Sequence, residues 1–342
     1  NFESASTRLD GQFSVGVNSL FDLDLSLKEH RIRLAPRHPM LDQHYIVQTE
    51  EVDNFINLCF DWVLARKSGL YVYGHYRQGK TKAINSAIED LKERLPFTAV
   101  LSCIGQRNLH QSKENFCLYL LDHWGHGITE RRRNMRVEPV LLNFLMSQCE
   151  EVGGRQCVLF IDEAQLFSVQ HYRYLLEIWN CMRDRGYILS TILVGQPGLT
   201  QLKDLTSEMD HGAVVSRFFV KGHSISGIKS EDMLSKFLEN YDGALYFPVG
   251  STWSYSRFFL SAAFEHGWRL KNESPIFWQA LCSESGAKPN LIKSTGFRLA
   301  WVVDAIHGFL LDGMKTDKPK FHGTVDMWKE LLSASTDRRL MI

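Results

Sequence analysis

One pattern constrains the fold of this chain more than any other feature: residues 74–81 read Gly-His-Tyr-Arg-Gln-Gly-Lys-Thr. A short apolar run at 70–73 precedes this pattern, and a helical spacing of apolar residues at 80–95 follows it. A strand, a glycine-rich loop and a helix in this order form a phosphate-binding loop, because backbone N–H groups of the loop and of the helix N-terminus point at the anion. We therefore predict a sheet with a nucleotide phosphate site at the end of one strand.

The predicted site residues lie in this loop and at the end of a second apolar run. The phosphate-binding candidates are Gly74, His75, Tyr76, Arg77, Gln78, Gly79, Lys80 and Thr81. Lys80 is expected to reach the β- and γ-phosphates of ATP, and the Thr81 hydroxyl to bind Mg²⁺. The second run, 157–161, ends in Asp162 and Glu163, which a buried parallel strand would deliver to the same edge of the sheet. Asp162 is then a candidate Mg²⁺ ligand, and Glu163 a candidate base that orients and deprotonates the attacking water.

Apolar runs and helical patterns alternate along the chain up to about residue 225. Strands are predicted at 70–73, 98–102, 157–161 and 189–194, and helices at 51–66, 80–95, 113–124, 138–151 and 170–185. Such alternation predicts an α/β fold, in which a mainly parallel sheet carries helices on both faces. Beyond it only helices are predicted, at 230–241, 275–285 and 293–311. The aromatic-rich segment 246–268 has no predicted secondary structure.

These patterns divide the chain into four predicted parts. They are an N-terminal arm at 1–48, an α/β ATPase core at 49–225, a small all-helical lid with the aromatic insertion at 226–312, and a C-terminal tail at 313–342.

Lys and Arg together number 39, as do Asp and Glu, so the net charge gives no sign of a nucleic-acid partner. Any DNA-binding surface must therefore be local.

The cysteines and the apolar segments bear on the compartment. The seven cysteines form no C-x-x-C pair, which favours buried thiols in a reducing cytosol over a zinc site. The most apolar long stretch, 299–311, is interrupted by Asp304 and His307 and is too short to span a bilayer. The start of the sequence shows no signal-peptide pattern. We therefore expect a cytoplasmic protein with no membrane partner.

With the two motifs in place, three further segments make the chain resemble the AAA+ ATPases. Asp162 and Glu163 are similar to the Walker B motif of that family, and residues 193–199 to its sensor 1 region, with Gln196 as the polar candidate. Arg217, in the sequence Val-Ser-Arg-Phe, resembles the arginine that acts across a subunit boundary. Arg298, within 294–299, resembles the sensor 2 arginine. The resemblance covers roughly residues 50–312 and implies an AAA+ P-loop core whose catalytic residues are Glu163, Lys80, Arg217, Gln196 and Arg298.

Within AAA+, the sequence looks most like the TnsC/TniB-like ATPases of DNA transposition. The matching segments are 77–81, 161–164 and 194–199, whereas the aromatic insertion 246–268 departs from the more compact members. The resemblance implies a bacterial, DNA-associated protein that uses ATP and Mg²⁺ to form helical filaments or rings on duplex DNA. It also implies that the protein connects a target-selection protein to a transposase.

Two places along the chain are candidate DNA contacts. Lys113 opens a predicted helix, and the densest basic run of the chain follows at 129–136, with Thr129, Arg131, Arg132 and Arg133 as candidates. In the resembled group, residues at these places face the DNA. Lys and Arg there would neutralise backbone phosphates without reading bases. An ordinary solvated loop is the alternative interpretation of the run.

Other classes of P-loop protein remain open on sequence grounds. A replication initiator or helicase loader shares the fold, but usually carries a winged-helix domain for which residues 313–342 leave little room. A signalling ATPase would need appended sensor and effector domains. A small-molecule kinase is disfavoured, because Glu163 and an inter-subunit Arg217 serve attack by water in an oligomer.

Overall fold

The computed structural model of the protein describes residues 23–42, 45–127, 136–208 and 211–335. The chain divides into two compact units. The α/β unit comprises Gln48–Lys229 and Ala287–Trp301, and the helical unit comprises 23–47, Ser230–Gly286 and 302–335. The four parts predicted from the sequence follow the chain in order. The structure instead assigns 287–301 to the α/β unit and 23–47 to the helical unit.

Five parallel strands form the centre of the α/β unit. They are β1 (Gly69–Tyr73), β2 (Thr98–Ile104), β3 (Gln156–Asp162), β4 (Ile188–Gly195) and β5 (Lys221–Ser224), in the spatial order β2-β3-β4-β1-β5. Tyr73 pairs with Gly195 and Ile104 with Asp162, so the carboxyl ends of these strands share one edge. The first four strands agree with the predicted ones within two residues. β5 was not predicted, because its sequence Lys-Gly-His-Ser has no apolar pattern.

Helices make up most of the remaining described residues. In chain order they are α1 (Lys28–Leu34), α2 (Glu50–Leu64), α3 (Lys80–Arg94), α4 (Lys113–His123), α5 (Val137–Glu151), α6 (Val169–Asp184), α7 (Gly198–Glu208), α8 (Gly212–Phe218), α9 (Glu231–Gly243), α10 (Tyr255–Phe259), α11 (Ser261–Glu265), α12 (Ser274–Ser285), α13 (Pro289–Thr295), α14 (Leu299–Thr316) and α15 (Val325–Ser335). None of these described helices combines the length and apolar character that crossing a bilayer requires.

Alternate residues of β1, β3 and β4 enter two separate hydrophobic clusters, because successive strand side chains point to opposite faces of a sheet. One cluster joins α2 and α3 to the strand residues Leu70, Val72, Val158, Phe160, Ile192 and Val194. The other joins α4, α5 and α6 to Tyr71, Leu159, Ile161, Leu189 and Leu193. The sheet is therefore covered by helices on both faces, which confirms the predicted α/β fold.

The helix predicted at 293–311 is interrupted in the structure. α13 ends at Thr295 and α14 begins at Leu299, with Gly296 between them at φ +73°. Phe297 exchanges two backbone hydrogen bonds with Ile228, N···O 2.8 and 3.0 Å, which a continuing helix could not make. A Cβ on residue 296 would lie 2.4 Å from the carbonyl carbon of Gly227, so the close approach requires glycine there. Pairing with a distant segment thus overrides the local helical pattern.

Stacked aromatic rings fill the core of the helical unit. Trp328 of α15 is fully buried and lies between Phe277 and Phe309, with ring centroids 3.9 and 4.1 Å away and nearly parallel planes. The aromatic-rich segment without predicted structure contains α10 and α11. Four of its rings are buried, namely those of Tyr255, Phe258, Phe259 and Trp268, whereas Tyr246 is exposed. These four rings are therefore core residues of the helical unit.

His38 is enclosed by part of that aromatic core. Its ring lies 4.3 to 4.9 Å, centroid to centroid, from those of Phe247, Tyr255, Phe258 and Phe259. Nδ1 accepts the Met40 N–H at 3.2 Å, and Nε2 has no hydrogen-bond partner among the described residues. Burial and, to a smaller extent, the neighbouring His307 lower the pKa of His38 to about 3. The ring is therefore neutral in the folded protein.

This buried ring predicts a loss of stability in mild acid. As the pH falls below about 6.5, the unfolded chain binds a proton at His38 that the folded chain does not bind until about pH 3. The free energy of unfolding should therefore fall by about 1.4 kcal/mol for each pH unit of acidification in that window. Above the window, the contribution of His38 to the free energy of unfolding should be fully present. Urea denaturation at several pH values between 7.5 and 5, followed by tryptophan fluorescence, measures this slope.

His38→Phe tests this assignment, and His266→Phe is its control, because His266 lies in the same unit but is exposed. His38→Phe should reduce the slope with pH by about one proton, whereas His266→Phe should keep the wild-type slope. The variants are compared by the slope of the free energy of unfolding against pH, and not by the free energy itself, because replacing the ring also changes packing. An unchanged slope in His38→Phe would contradict the assignment.

Candidate active site

The phosphate-binding loop connects β1 to α3 at the carboxyl edge of the sheet. The Gly74 N–H donates to the Gly195 carbonyl at 3.1 Å, which anchors the start of the loop to β4. Arg77 and Gly79 have φ of +61° and +78°, and this turn aims the N-terminus of α3 into the loop. Lys80 is 5% exposed, and its Nζ donates to the carbonyl oxygens of Gly74 and His75 at 2.9 and 2.8 Å. The loop thus surrounds the ammonium group at the helix N-terminus.

Positive charges converge on this loop. Burial lowers the pKa of Lys80, the carboxylates of Glu163 and Asp162 oppose this effect, and Arg298 reinforces it. The pKa of Arg298 is lowered by burial and by the nearby Arg77, and that of His75 by burial, Arg298 and Lys80. Like charges are costly at short distance unless an anion lies between them. A polyphosphate bound here would meet cations from the loop and from residue 298.

Thr81 and Asp162 bring two oxygen atoms together next to the loop. The Thr81 hydroxyl donates to Asp162 Oδ2 at 2.6 Å, and Asp162 Oδ1 accepts the Glu163 N–H at 2.8 Å. Mg²⁺ takes one or two protein oxygens and completes its shell with phosphate and water, so this pair fits that ion. Within the described ranges, no group of three or more His, Cys, Asp or Glu side chains could hold a metal.

The Glu163 carboxylate is held by two side-chain amides. Glu163 follows β3 with φ +48°, and its Oε2 accepts Gln165 Nε2 at 2.6 Å and Gln196 Nε2 at 3.1 Å. The structure therefore brings the predicted Gln196 into contact with the predicted Glu163. Gln165 was not predicted as a site residue. Its position two residues after Glu163, in the sequence Asp-Glu-Ala-Gln, is the sequence signal that could have indicated it.

The segment that carries Arg298 lies directly on the phosphate loop. Gln78 is 2% exposed and donates from Nε2 to the Thr295 carbonyl at 3.3 Å, while the Ala300 N–H donates to the Arg77 carbonyl at 3.2 Å. The loop is thus hydrogen-bonded to the chain on both sides of Arg298, through Gln78 before it and Arg77 after it. Gln78 was predicted only as a phosphate-loop residue, but in the structure it also links the loop to residues 295–300.

Arg217 lies near the end of α8, apart from these contacts. Its guanidinium carbon is 4.8 Å from the ring centroid of Trp179, and the Arg183 guanidinium is 5.0 Å from the same centroid. In the part of the chain that the structure describes, no carboxylate lies within 4 Å of the Arg217 guanidinium. An indole face attracts a cation without neutralising its charge. Arg217 therefore keeps a full positive charge on the α/β unit.

The structure describes one of the candidate DNA contacts. Lys113, at the start of α4, pairs with Glu138 at 2.5 Å and with Glu177 at 2.6 Å. Burial alone would lower the pKa of Lys113, but these two carboxylates raise it overall. Two carboxylates already offset the charge that Lys113 would present to DNA. Thr129, Arg131, Arg132 and Arg133 lie outside the described residues.

A comparison with protein families agrees with this geometry. Residues 64–202 match the family model described as an AAA domain, a span that begins just before β1 and ends within α7. Strands β1 to β4, the phosphate loop and the acidic pair at the end of β3 lie in this span, whereas β5 lies beyond it. The chain has the AAA+ P-loop fold. No curated protein sequence matches it.

Several solved structures resemble this chain at low sequence identity. The ORC2 protein of Aeropyrum pernix is 12% identical, with 86% of this chain and 89% of that one covered and a TM-score of 0.45. Domain III of the Thermotoga maritima replication initiation protein DnaA is 15% identical, with 85% of this chain and 94% of that one covered and a TM-score of 0.44. A. pernix ORC1 in complex with DNA is 11% identical, with 86% of this chain and 85% of that one covered and a TM-score of 0.40. Such TM-scores transfer no role to this chain, and these comparisons do not confirm the resemblance to the transposition ATPases.

The site geometry predicts different effects for two substitutions. Lys80→Ala removes the buried ammonium at the helix N-terminus and should abolish ATP binding. Glu163→Gln leaves the phosphate loop intact, so it should bind ATP normally but hydrolyse it at least about 10²-fold more slowly. A fluorescent ATP analogue measures binding and phosphate release measures turnover. Lys92→Ala and Glu93→Gln, which are exposed on α3, should behave as the wild type, whereas normal turnover by Glu163→Gln would refute its role.

Proposed function

We propose that this protein is a Mg²⁺-dependent ATPase that assembles on duplex DNA and acts as a nucleotide-controlled switch. The observation that supports hydrolysis best is that residues of α3, of the end of β3 and of the segment after β4 are hydrogen-bonded together at one edge of the sheet. Thr81 of α3 is bonded to Asp162 of β3, and Glu163 next to it is oriented by Gln196. A nucleotide-binding site without hydrolysis would not need an oriented carboxylate beside the metal-binding oxygens.

Each residue has a defined part in the proposed reaction. The loop N–H groups and Lys80 bind the β- and γ-phosphates, with Lys80 exchanging the carbonyls of Gly74 and His75 for phosphate oxygens. Thr81 and Asp162 hold Mg²⁺, which when bound neutralises charge on the phosphates. Glu163 orients the attacking water and accepts its proton. Arg298 stabilises the negative charge that develops on the transferred phosphoryl group.

Arg217 is proposed to complete the site of a neighbouring subunit. It carries a full charge on the indole of Trp179, and it follows β4 and α7 instead of lying in the phosphate loop. The resemblance to the AAA+ arginine motif motivates the role across a subunit boundary. A cation supplied to the γ-phosphate in this way makes hydrolysis depend on assembly.

A mixing experiment tests the shared site. Arg217→Ala should bind ATP normally and hydrolyse it about 10³-fold more slowly, because it lacks only the cation that it supplies. Lys80→Ala keeps that cation but cannot bind ATP. Mixing the two inactive proteins should restore hydrolysis, since some interfaces then combine an intact Lys80 with an intact Arg217.

The control for this experiment is Arg183→Ala, which removes the other cation from the same indole and should leave turnover unchanged. Light scattering shows whether the two variants assemble together. A mixed assembly that stays inactive would refute the role of Arg217 in a neighbour's site. Full activity of Arg217→Ala at high dilution would refute the dependence on assembly altogether.

Two cellular roles fit such a switch. One of the solved structures named above belongs to a replication initiation protein, DnaA, so an initiator or helicase-loader role has a named counterpart, although its TM-score gives it no weight. The role of transposition regulator rests on the motif resemblance, which the comparisons do not support, and its partners would be a transposase and a target-selection protein. Electron microscopy with an ATP analogue, with and without duplex DNA, tests the assembly that both roles require.

The DNA part of the proposal rests on the basic run at 129–136. Replacing Arg131 and Arg132 by Ala should weaken binding to all duplexes alike, because phosphate contacts carry no sequence information. The dependence of log affinity on log salt should become shallower by about one per lost contact. Fluorescence anisotropy across a salt series measures both. Arg33→Ala with Arg37→Ala is the control, since both are exposed on the helical unit, and unchanged binding after the first replacement would remove the run from the interface.

A further inference from the structure

The side chain of Gln165 lies between Glu163 and the end of β4 and is hydrogen-bonded to both sides. Its Nε2 donates to Glu163 Oε2 at 2.6 Å, and its Oε1 accepts the backbone N–H of Gln196 at 3.0 Å. Both ends of the carboxamide are therefore bonded, one to the predicted base and one to the backbone of the predicted sensor residue. An amide fixed at both ends has a single orientation, which it imposes on its partner.

The turn that carries Gln165 is itself held in place. Gln165 lies in a single helical turn, Ala164–Leu166, directly after Glu163. The Leu166 N–H donates to the Glu163 carbonyl at 2.9 Å, and the hydroxyl of the buried Tyr172 donates to the Ala164 carbonyl at 2.7 Å. The side chain therefore starts from a fixed backbone.

Gly195 leaves room for this carboxamide. A Cβ on residue 195 would lie 2.2 Å from Gln165 Oε1, closer than non-bonded atoms approach one another. At the same time the Gly195 carbonyl accepts the N–H of Gly74 in the phosphate loop, which fixes its backbone. Any larger residue at 195 would displace the amide of Gln165. The glycine at the end of β4 is thus explained by the side chain that passes it.

We propose that Gln165 is the positioning residue for Glu163, and that position 195 is glycine in order to admit its amide. The amides of Gln165 and Gln196 both donate to Oε2. The other carboxylate oxygen, Oε1, is thereby directed to the attacking water. This inference rests on the proposed ATPase function. Loss of orientation at a reacting group slows the reaction without weakening substrate binding. The hydrogen bonds that the structure describes for the Gln165 side chain go to Glu163 and Gln196 and not to the phosphate loop.

The test uses substitutions of nearly equal size. Gln165→Met keeps the length of the side chain but removes the amide, and kcat should fall at least about 10-fold with ATP affinity unchanged. Gln165→Glu keeps the shape but places a carboxylate against Glu163, so its kcat should be lower still. A role in packing alone would not separate these two variants in kcat. Gln170→Met is the control: the Gln170 side chain accepts a hydrogen bond of 3.2 Å from the exposed Arg173 and should tolerate the change.

Gly195 provides a second, independent test. Gly195→Ala should lower kcat in the wild type, because the new methyl group displaces the Gln165 amide. In a Gln165→Ala background that amide is absent, so adding Gly195→Ala should cause no further loss. Circular dichroism establishes that each variant is folded. If Gly195→Ala does not fold, the comparison of Gln165→Met with Gln165→Glu still decides the proposal.

The outcomes separate this inference from the proposed function. Inactive Glu163→Gln together with wild-type or faster turnover by Gln165→Met would overturn the role of Gln165 and leave the ATPase function intact. A fall in ATP affinity as large as the fall in kcat would also overturn it, since that result indicates general disruption of the site. Normal hydrolysis by Glu163→Gln would instead refute the proposed function, and the role of Gln165 with it.

Discussion

The parallel pairing of β1, β3 and β4 is the constraint on which the rest of the site depends. Because the three strands run in the same direction, their carboxyl ends lie at one edge, and each strand ends at a residue of the site or leads directly into one. β1 leads into the phosphate loop, β3 ends in Asp162, and β4 ends at Gly195. The hydrogen bond from Thr81 to Asp162 then joins the helix after β1 to the end of β3. A one-residue slip between these strands would separate the partners.

Two kinds of charge are arranged around that edge. Lys80 and Arg77 lie in the phosphate loop and Arg298 lies near it. Burial lowers the pKa of Lys80 and of Arg298, and repulsion from a neighbouring cation, Arg298 for Lys80 and Arg77 for Arg298, lowers each further. On the other side, Asp162 and Glu163 bind hydroxyl and amide donors. The cations for a polyphosphate and the carboxylates for a metal and a water thus lie on different elements that meet at one edge of the sheet. This arrangement fits the attack of water on a terminal phosphate that we propose.

The sequence by itself determined four of the strands, the helices that cover them and most of the candidate chemistry. Four strands are apolar runs, and the helices over them have apolar residues at helical spacing, so hydrophobic periodicity was sufficient to locate them. The phosphate loop and the acidic pair after β3 are short continuous segments whose function depends on their own backbone. The placement of Lys80, Thr81, Asp162 and Glu163 could therefore be predicted. β5 could not, since it is polar and is defined only by its pairing with β1.

Tertiary structure decided what depends on residues far apart in the chain. The break in the helix predicted at 293–311 follows from the pairing of Phe297 with Ile228, which no local pattern contains. Burial of His38 among aromatic rings and the stacking of Trp179 with Arg217 are likewise long-range contacts. The fit of Gln165 against Gly195 depends on the spacing of β3 and β4 within the sheet. A sequence encodes local propensities directly, whereas contacts of this kind exist only once packing has fixed distances between its segments.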